Sequence, residues 1–313
     1  MKHPRILAVG GAHVDRRGRM TAPFVPGASI PGAMSEEVGG GAFNALRGAV
    51  RRGAVGALMS VRGGDAAGEA VAAEIGANGI TDLSAVFLDR ATPSYTALLD
   101  RDGDVVAALA DMGLYELAFP KQMRRAKLRE SLATQDAVLC DGNLPEVALW
   151  RLAEVVGATP LFAIAISPAK AVRLRPILDR LSCLFMNRRE AAVLAGTDAD
   201  ADAADIVRGL MTAGLRRGVV TAGGSAVFAY DAQGLLVIAP PPPRRVVDVT
   251  GAGDALAGAT TVALLRGEPL DSALRHGIAA AVLAIECASA VPELAQTAFD
   301  EVLALVPQAS EMA

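Results

Sequence analysis

The stretch "DVTGAGDALAGA", Asp248 to Ala259, sets two glycines and a small residue before a single carboxylate, and small residues again after it. Glycine reaches backbone conformations of positive φ that other residues resist. The pattern predicts a strand ending near Val249 and a helix starting at the glycines, with positive φ available at Gly251 and Gly253. The amides of Gly251, Ala252, Gly253 and Asp254 then face one way at the positive end of the helix dipole, as an anion nest. Asp254 falls in the first turn, where its carboxylate either caps the helix or stands as a base beside a bound anion. The stretch is no dinucleotide fingerprint, because Leu256 stands at the third glycine of GxGxxG, and the chain holds no GxxxxGK[ST] loop.

Four other places carry residues of comparable use. Asp15, ending the first strand after "VGGAHV", either accepts from two neighbouring hydroxyls of a sugar or caps a turn. In "VGGGAFNALRGA", Gly39, Gly40 and Gly41 precede Asn44 at a helix start, so backbone and amide approach a polyol closely, or simply make a glycine-rich helix entry. Asn187 and Glu190 in "CLFMNRREAAVLAG" read as a helix cap with an acidic first turn, or as a contact through water to magnesium, which keeps several of its waters. Thr221, Gly223, Gly224 and Ser225 in "VVTAGGSAVF" form a turn or a small polar platform for nucleotide phosphates. His3, His13 and His276 lack metal-ligand spacing; His13, near Asp15, either packs or touches substrate. Cys140, Cys183 and Cys287 form no CxxC pair and read as buried thiols of a reducing compartment.

The elements that must hold these residues follow from the apolar pattern. Strand-length runs "RILAVGG", "VGALMSV", "LSAVFL", "DAVLCDG", "LFAIAIS", "CLFMN" and "GVVTAGG" alternate with helical stretches such as "GEAVAAEIGANG" and "PEVALWRLAEVVG". That alternation predicts a mostly parallel sheet covered by helices on both faces, with ligands outside the carboxyl ends of its strands. Two segments break the rhythm: 16–38, rich in proline and glycine, and 93–111, two strands joined at "DRDGD". Together they predict a small β lid inserted in a single domain spanning 1–313. "APPPPRR" is a stiff connector into the first motif. A net charge of -4 and a pI near 5.5 argue against nucleic acid or anionic lipid as partners. "GIAAAVLAIECASAV" is interrupted by Glu286 and falls short of the ~20 residues of a membrane span, and the N-terminus is too charged for a signal peptide. A soluble, cytoplasmic protein is expected.

In this order the motifs resemble those of the ribokinase-like sugar and nucleoside kinases, the phosphofructokinase B family, over nearly the whole chain. "GGGAFN" and "DVTGAGDALAGA" carry most of the likeness, the latter similar to D-T-x-G-A-G-D with Val249 for the usual threonine. "GGDAAGE" and "NRRE" stand where that family has G-D-x-x-G and N-x-x-E. Within it, "VGGAHVD", "PGASIPG", "DMGLYE", "DGNLP" and "SPAKAVRL" are similar in place and order to segments of the pseudouridine kinases. His13, Ile30, Phe43 and Gly113 depart from that group, which has Asn, Asn, Arg and Asp there.

The resemblance implies a three-layer αβα sandwich with a small β lid and an ATP- and Mg2+-dependent kinase. Its acceptor is a ribose-containing nucleoside or sugar: pseudouridine first, then ribose, fructose or adenosine types. A non-catalytic ligand sensor of the same fold is the rival from another class. The resemblance makes Asp254 the base, with an ordinary pKa of about 4, and gives the amides of Gly251, Ala252 and Gly253 the charge of the transferred group. Asp15, Gly40, Gly41 and Asn44 would grip sugar hydroxyls, with Asn143 and Lys170 lining the pocket. Asn187 and Glu190 would organise Mg2+ through waters, and Thr221, Gly223 and Ser225 would border the triphosphate. Adenine would lie against the helix near Ala280 to Ala284, and Asp248 with the loop around Ser289 would hold a monovalent cation such as K+. The lid offers a surface for a homodimer.

Overall fold

The computed structural model describes residues 3–287, 291 and 295–312. Among them, strands Thr81–Asp82, Val55–Met59, Arg5–Val9, Ala137–Asp141, Leu161–Ile164, Cys183–Asn187 and Gly218–Thr221 lie side by side and parallel. The sheet continues antiparallel through Val227–Asp231, Gly234–Ile238 and Ser310–Met312. The inner strands are unbroken apolar runs because both faces are covered. Along Arg5–Val9, Leu7 and Val9 enter one core while Ile6 and Ala8 enter the other. Helices close both cores, giving three layers.

Arg5–Val9 has Val55–Met59 on one side and Ala137–Asp141 on the other, so the chain winds outward in opposite directions from it. At such a switch point the loops beyond the carboxyl ends part and leave a crevice. Over that crevice stands a second, four-stranded sheet in the order Gly32–Gly39, His13–Met20, Ser94–Leu99, Val105–Asp111. Its "DRDGD" turn closes as expected: one Asp100 oxygen accepts from the amides of Asp102, Gly103 and Asp104, each at 2.9 Å.

Four sequence expectations need correcting. The first strand stops at Val9, so Asp15 does not end it but sits inside the small sheet, on His13–Met20. Of "LSAVFL" only Ala85–Phe87 is a strand, and it pairs with Val61–Gly63 in a separate ribbon, leaving two-residue Thr81–Asp82 as the sheet edge. Residues 246–250 form no strand. The hairpin Val227–Asp231/Gly234–Ile238 has taken the sheet edge, and the chain returns as an extended loop pinned by Val247 N to Ile285 O and by Arg244 on Glu286. Cys287 is half-buried rather than buried, unlike Cys140 and Cys183.

The helix Ala252–Leu265 packs on Gly41–Arg51, and small residues make the approach close. A Cβ on Gly258 would run into the carbonyl of Ala45, and one on Gly277 into the Thr260 hydroxyl. Overpacking of this kind costs about 1–3 kcal/mol. Gly258→Val is therefore expected to lower unfolding free energy by roughly that amount in urea titrations. It should also depress activity, because the same helix pair carries Asn44 and Asp254.

Candidate active site

Asp141 ends the central strand Ala137–Asp141 with no exposure to solvent. One of its oxygens accepts from Gly11 N (3.0 Å), Ala42 N (2.9 Å) and Asn143 Nδ2 (2.9 Å), and the other from Asn143 N (3.0 Å). The strand end, the loop after Arg5–Val9 and the start of helix Gly41–Arg51 are thereby tied to one carboxylate. Gly40 precedes that helix at φ 115°, where a Cβ would strike the Gly11 carbonyl, and Gly41 lies against the Ile166 side chain. These glycines bring the helix down onto the crevice and place Asn44 on its first turn.

Asn44 Nδ2 donates to Asp254 Oδ2 at 3.1 Å. Asp254 lies in the first turn of Ala252–Leu265 but does not cap it: the N-cap is Gly251, at φ 79°, and no side chain bonds the helix start. The first-turn amides are thus left with no side-chain partner, Ala252 N alone reaching back over 3.4 Å to the Val249 carbonyl. Gly251 alone takes positive φ; Gly253 is helical, and its side-chain position is open space toward the crevice. Half-buried Asp254 is walled by protein, and this desolvation, with the charges of Asp141 and Asp15, pushes its pKa up to about 7 against the pull of Asn44 and Arg47. The expectation of an ordinary carboxylate is corrected on that ground.

Two cavities meet at Thr221 and Gly253. The inner one, about 220 Å3, is lined by Asn187, Glu190, Asp254 and Ile166 among others. Ile166 is held at φ 73°, a conformation a β-branched residue rarely adopts. The outer one, about 490 Å3, is an apolar cleft between Pro240–Pro243, Val246 and Val249 on one side and Ile278, Ala281 and Val282 on the other. Thr221 and Gly223 line it and Ser225 does not. Its size and apolar walls fit a nucleotide base, and the bare amides at its inner end fit phosphates.

Asn187 and Glu190 form a complete capping box: Glu190 N donates to Asn187 Oδ1 at 3.0 Å, and Glu190 accepts from Asn187 N and Nδ2, each at 2.8 Å. Burial raises the Glu190 pKa and the Asn187 bonds oppose it. Among the described residues no cluster of three or more His, Cys, Asp or Glu is placed to hold a metal ion. Mg2+ at this place fits only as an ion held by phosphates and waters, with Asn187 and Glu190 behind the waters.

On the far side of Asn44 lies a second polar group. Buried His13 meets the Tyr115 hydroxyl through Nδ1 at 3.0 Å and Asp15 through Nε2 at 3.3 Å; Tyr115 also accepts from Ala12 N. Lys170 Nζ donates to Asn143 Oδ1 at 2.5 Å. Burial lowers the Lys170 pKa, and Asp141 partly restores it. Asp15, Gly40, Gly41, Asn44, Asn143 and Lys170 are therefore neighbours around one crevice. Asp248 is turned elsewhere: its oxygens hold Arg17 of the small sheet at 2.5 Å and Thr250 N at 2.8 Å. One half of the donor set expected for a monovalent cation is thus taken by a guanidinium, and the loop around Ser289 lies outside the described residues.

Sequence reasoning missed Asp141, Tyr115, Arg17, Arg47 and the proline wall. "DGNLP" and "DMGLYE" were visible, but nothing in the spacing marked their Asp and Tyr as partners of residues some 100 to 130 positions away. Arg47 carried a signal, being one helical turn from Asn44.

An apolar cleft that narrows onto helix amides uncapped by any side chain, and then onto one carboxylate, is the layout of a phosphotransferase for small alcohols. Residues 4–297 match the pfkB family carbohydrate kinase pattern, and the chain belongs to that family. A carbohydrate kinase from Agrobacterium tumefaciens is 44% identical, with a TM-score of 0.87 over 99% of this chain and all of that one. Escherichia coli pseudouridine kinase is 26% identical over 285 residues, 90% of either chain. The Arabidopsis thaliana ribokinase structure complexed with ribose and ATP shares the fold at 20% identity, with a TM-score of 0.85 over 96% of this chain and 99% of that one. Kinases of this family use ATP and Mg2+. Among the described residues no helix is long and apolar enough to cross a membrane.

A raised carboxylate pKa has a consequence for stability. The folded chain keeps the Asp254 proton up to about pH 7 and the unfolded chain sheds it near 4, so this residue's ionisation costs stability as pH rises between those values. Asp254→Asn should then raise Tm relative to wild type at about pH 8, with the gap closing toward about pH 5, as read by calorimetry across that range.

Proposed function

We propose that the protein transfers the γ-phosphoryl group of ATP to a hydroxyl of a ribose-containing nucleoside or sugar, with pseudouridine as the best supported acceptor. The observation that carries this is the position of Asp254, between bare helix amides on the cleft side and Asn44 on the side of Asp15, Asn143 and Lys170. MgATP, when bound, supplies the phosphoryl group and the metal's charge. Asp254 takes the proton of the attacking hydroxyl, a role suited to a pKa near the working pH. The amides of Gly251, Ala252 and Gly253 receive the charge that develops on the transferred group, and the helix dipole adds to them. Asn187 and Glu190 orient waters around the metal, and Thr221 and Gly223 border the phosphates.

Asp15 and Asn44 grip the sugar, with the backbone at Gly40 and Gly41 close beneath it. Lys170 donates to a carbonyl of the base, and Asn143 both donates and accepts. The pseudouridine assignment draws on the curated relative and on this polar group; of the four departures, Phe43 is wholly buried and so makes no demand on the acceptor. The exposed Met34, Leu98 and Leu109 of the small sheet support a homodimer formed there. The free thiols of Cys140 and Cys183 suit the reducing cytoplasm.

Asp254→Asn should retain the fold and nucleotide binding while turnover falls by about 10^3 or more; near-normal ADP release would remove Asp254 as the base. The acceptor is tested by ADP release with MgATP against pseudouridine, uridine, adenosine, inosine, ribose and fructose. Pseudouridine is expected to be turned over best. Activity on another member alone would move the assignment to that substrate, and no release with any would favour a ligand sensor.

A further inference from the structure

Arg47 is an expensive residue where it stands. Its side chain is 8% exposed, its Nε finds no acceptor among the described residues, and its counter-ion Glu74, at 3.1 Å, is more than a third exposed. The guanidinium lies over the Phe43 ring at 4.7 Å, where a long apolar side chain would pack at less cost. Beyond the Glu74 pair and a long contact from Nη2 to the Val38 carbonyl at 3.5 Å, what the charge gains is a short bond from Nη2 to Asn44 Oδ1, at 2.6 Å.

Arginine only donates, so the atom of Asn44 that faces it must be the oxygen. The amide nitrogen is then left for Asp254. We propose that Arg47 is a positioning residue of the reaction: by taking the Asn44 carbonyl oxygen it allows only N–H groups to face Asp254, holding that carboxylate in the form that accepts a proton. Released from Arg47, the amide is free to turn over and present its oxygen, which only a protonated Asp254 satisfies. The inference rests on Asp254 being the base.

The groups facing Asp254 are Asn44 and Arg47 from helix Gly41–Arg51, Asp141 from the strand end, Asp15 from the small sheet, Glu190 across the inner cavity and the amides of its own helix. Asp141 and Asp15 disfavour the carboxylate; Arg47 and Asn44 favour it. Removing Arg47 withdraws the charge and the lock together, and both losses act in one direction.

The test is Arg47→Met, which keeps length over Phe43 and loses every donor. kcat/KM for the acceptor is measured against pH at saturating MgATP, and the Asp254 carboxyl is titrated by 13C NMR in the ligand-free protein. The acid limb and the NMR titration should both move to higher pH, so that activity falls about 10-fold or more near pH 6.5 and less than about 3-fold near pH 8.5. Arg47→Lys should recover much of the loss. An equal fall at every pH, or an unmoved limb, overturns the proposal.

Should Arg47→Met fail to fold, the wild type decides. The Asn44 side-chain 15N resonance is expected to follow the Asp254 titration, and one that does not follow it overturns the lock. The two readings separate cleanly. Lost turnover in Asp254→Asn with an unmoved limb in Arg47→Met leaves the base standing and removes Arg47, whereas near-normal Asp254→Asn removes both.

Discussion

The crevice depends on one buried carboxylate. Asp141 accepts four hydrogen bonds, from Gly11 N, Ala42 N, Asn143 N and Asn143 Nδ2, and so satisfies donors from three segments at the switch point of the sheet. An unmet buried donor costs about 1–3 kcal/mol, and the loss of Asp141 would leave four such bonds unmade at once. Gly10 and Gly11 are small for the same reason: a Cβ on either would strike Asp141 or Asn143. Once Asp141 has taken the Asn143 nitrogen, the Asn143 oxygen is left for Lys170. The same logic recurs across the crevice, where Asn44 stands between Asp254 and Arg47. Each asparagine is oriented by a carboxylate at its nitrogen and a cation at its oxygen. The acceptor side is therefore lined by amides of fixed direction.

Much of this was legible in the sequence because it rests on local rules. The parallel sheet follows from apolar runs alternating with helical stretches, and the bare nest from glycine before a helix. The Asn187–Glu190 capping box follows from three-residue spacing, and the Asp100 turn from "DRDGD". What stayed hidden depends on tertiary contact. Beside nearby Asn143, the partners of Asp141 are Gly11 and Ala42, about 100 to 130 positions away, and Arg17 meets Asp248 across 231. In "VGGAHVD" Gly10 and Gly11 mark the break after Val9, but whether Asp15 ends a strand or lies inside the next one is set by which neighbour each half pairs with. The valines of 246–250 have the pattern of a buried strand, whereas in the fold they are exposed, with Val246 and Val249 along the wall of the apolar cleft.

The electrostatics explain why Asp254 alone departs so far from an ordinary carboxylate. Asp15, Asp141 and Asp254 converge on the crevice, and Asp141 meets its charge with four donors. Asp15 keeps the His13 contact and some solvent. Asp254 receives one side-chain bond, from Asn44, and bears the repulsion of the other two. The cations that answer this cluster, Lys170 and Arg47, are each partly desolvated, which weakens their hold on the proton as the carboxylates restore it.

Asp254, the third residue of its helix behind the Gly251 N-cap, could turn its carboxylate back onto the helix start, and it does not. A capping side chain contributes about 0.5–2 kcal/mol to a helix. Forgoing it leaves the first-turn amides open toward the crevice, and Gly251, with no side chain, keeps the approach clear. A carboxylate folded back onto those amides would repel an incoming phosphoryl group from the one place built to receive it. Turned outward to Asn44 instead, it leaves the amides free for an anion and has its own proton affinity raised by the enclosure. The uncapped helix and the elevated pKa of Asp254 are thus two results of one choice of side-chain direction, and Asn44 enforces it.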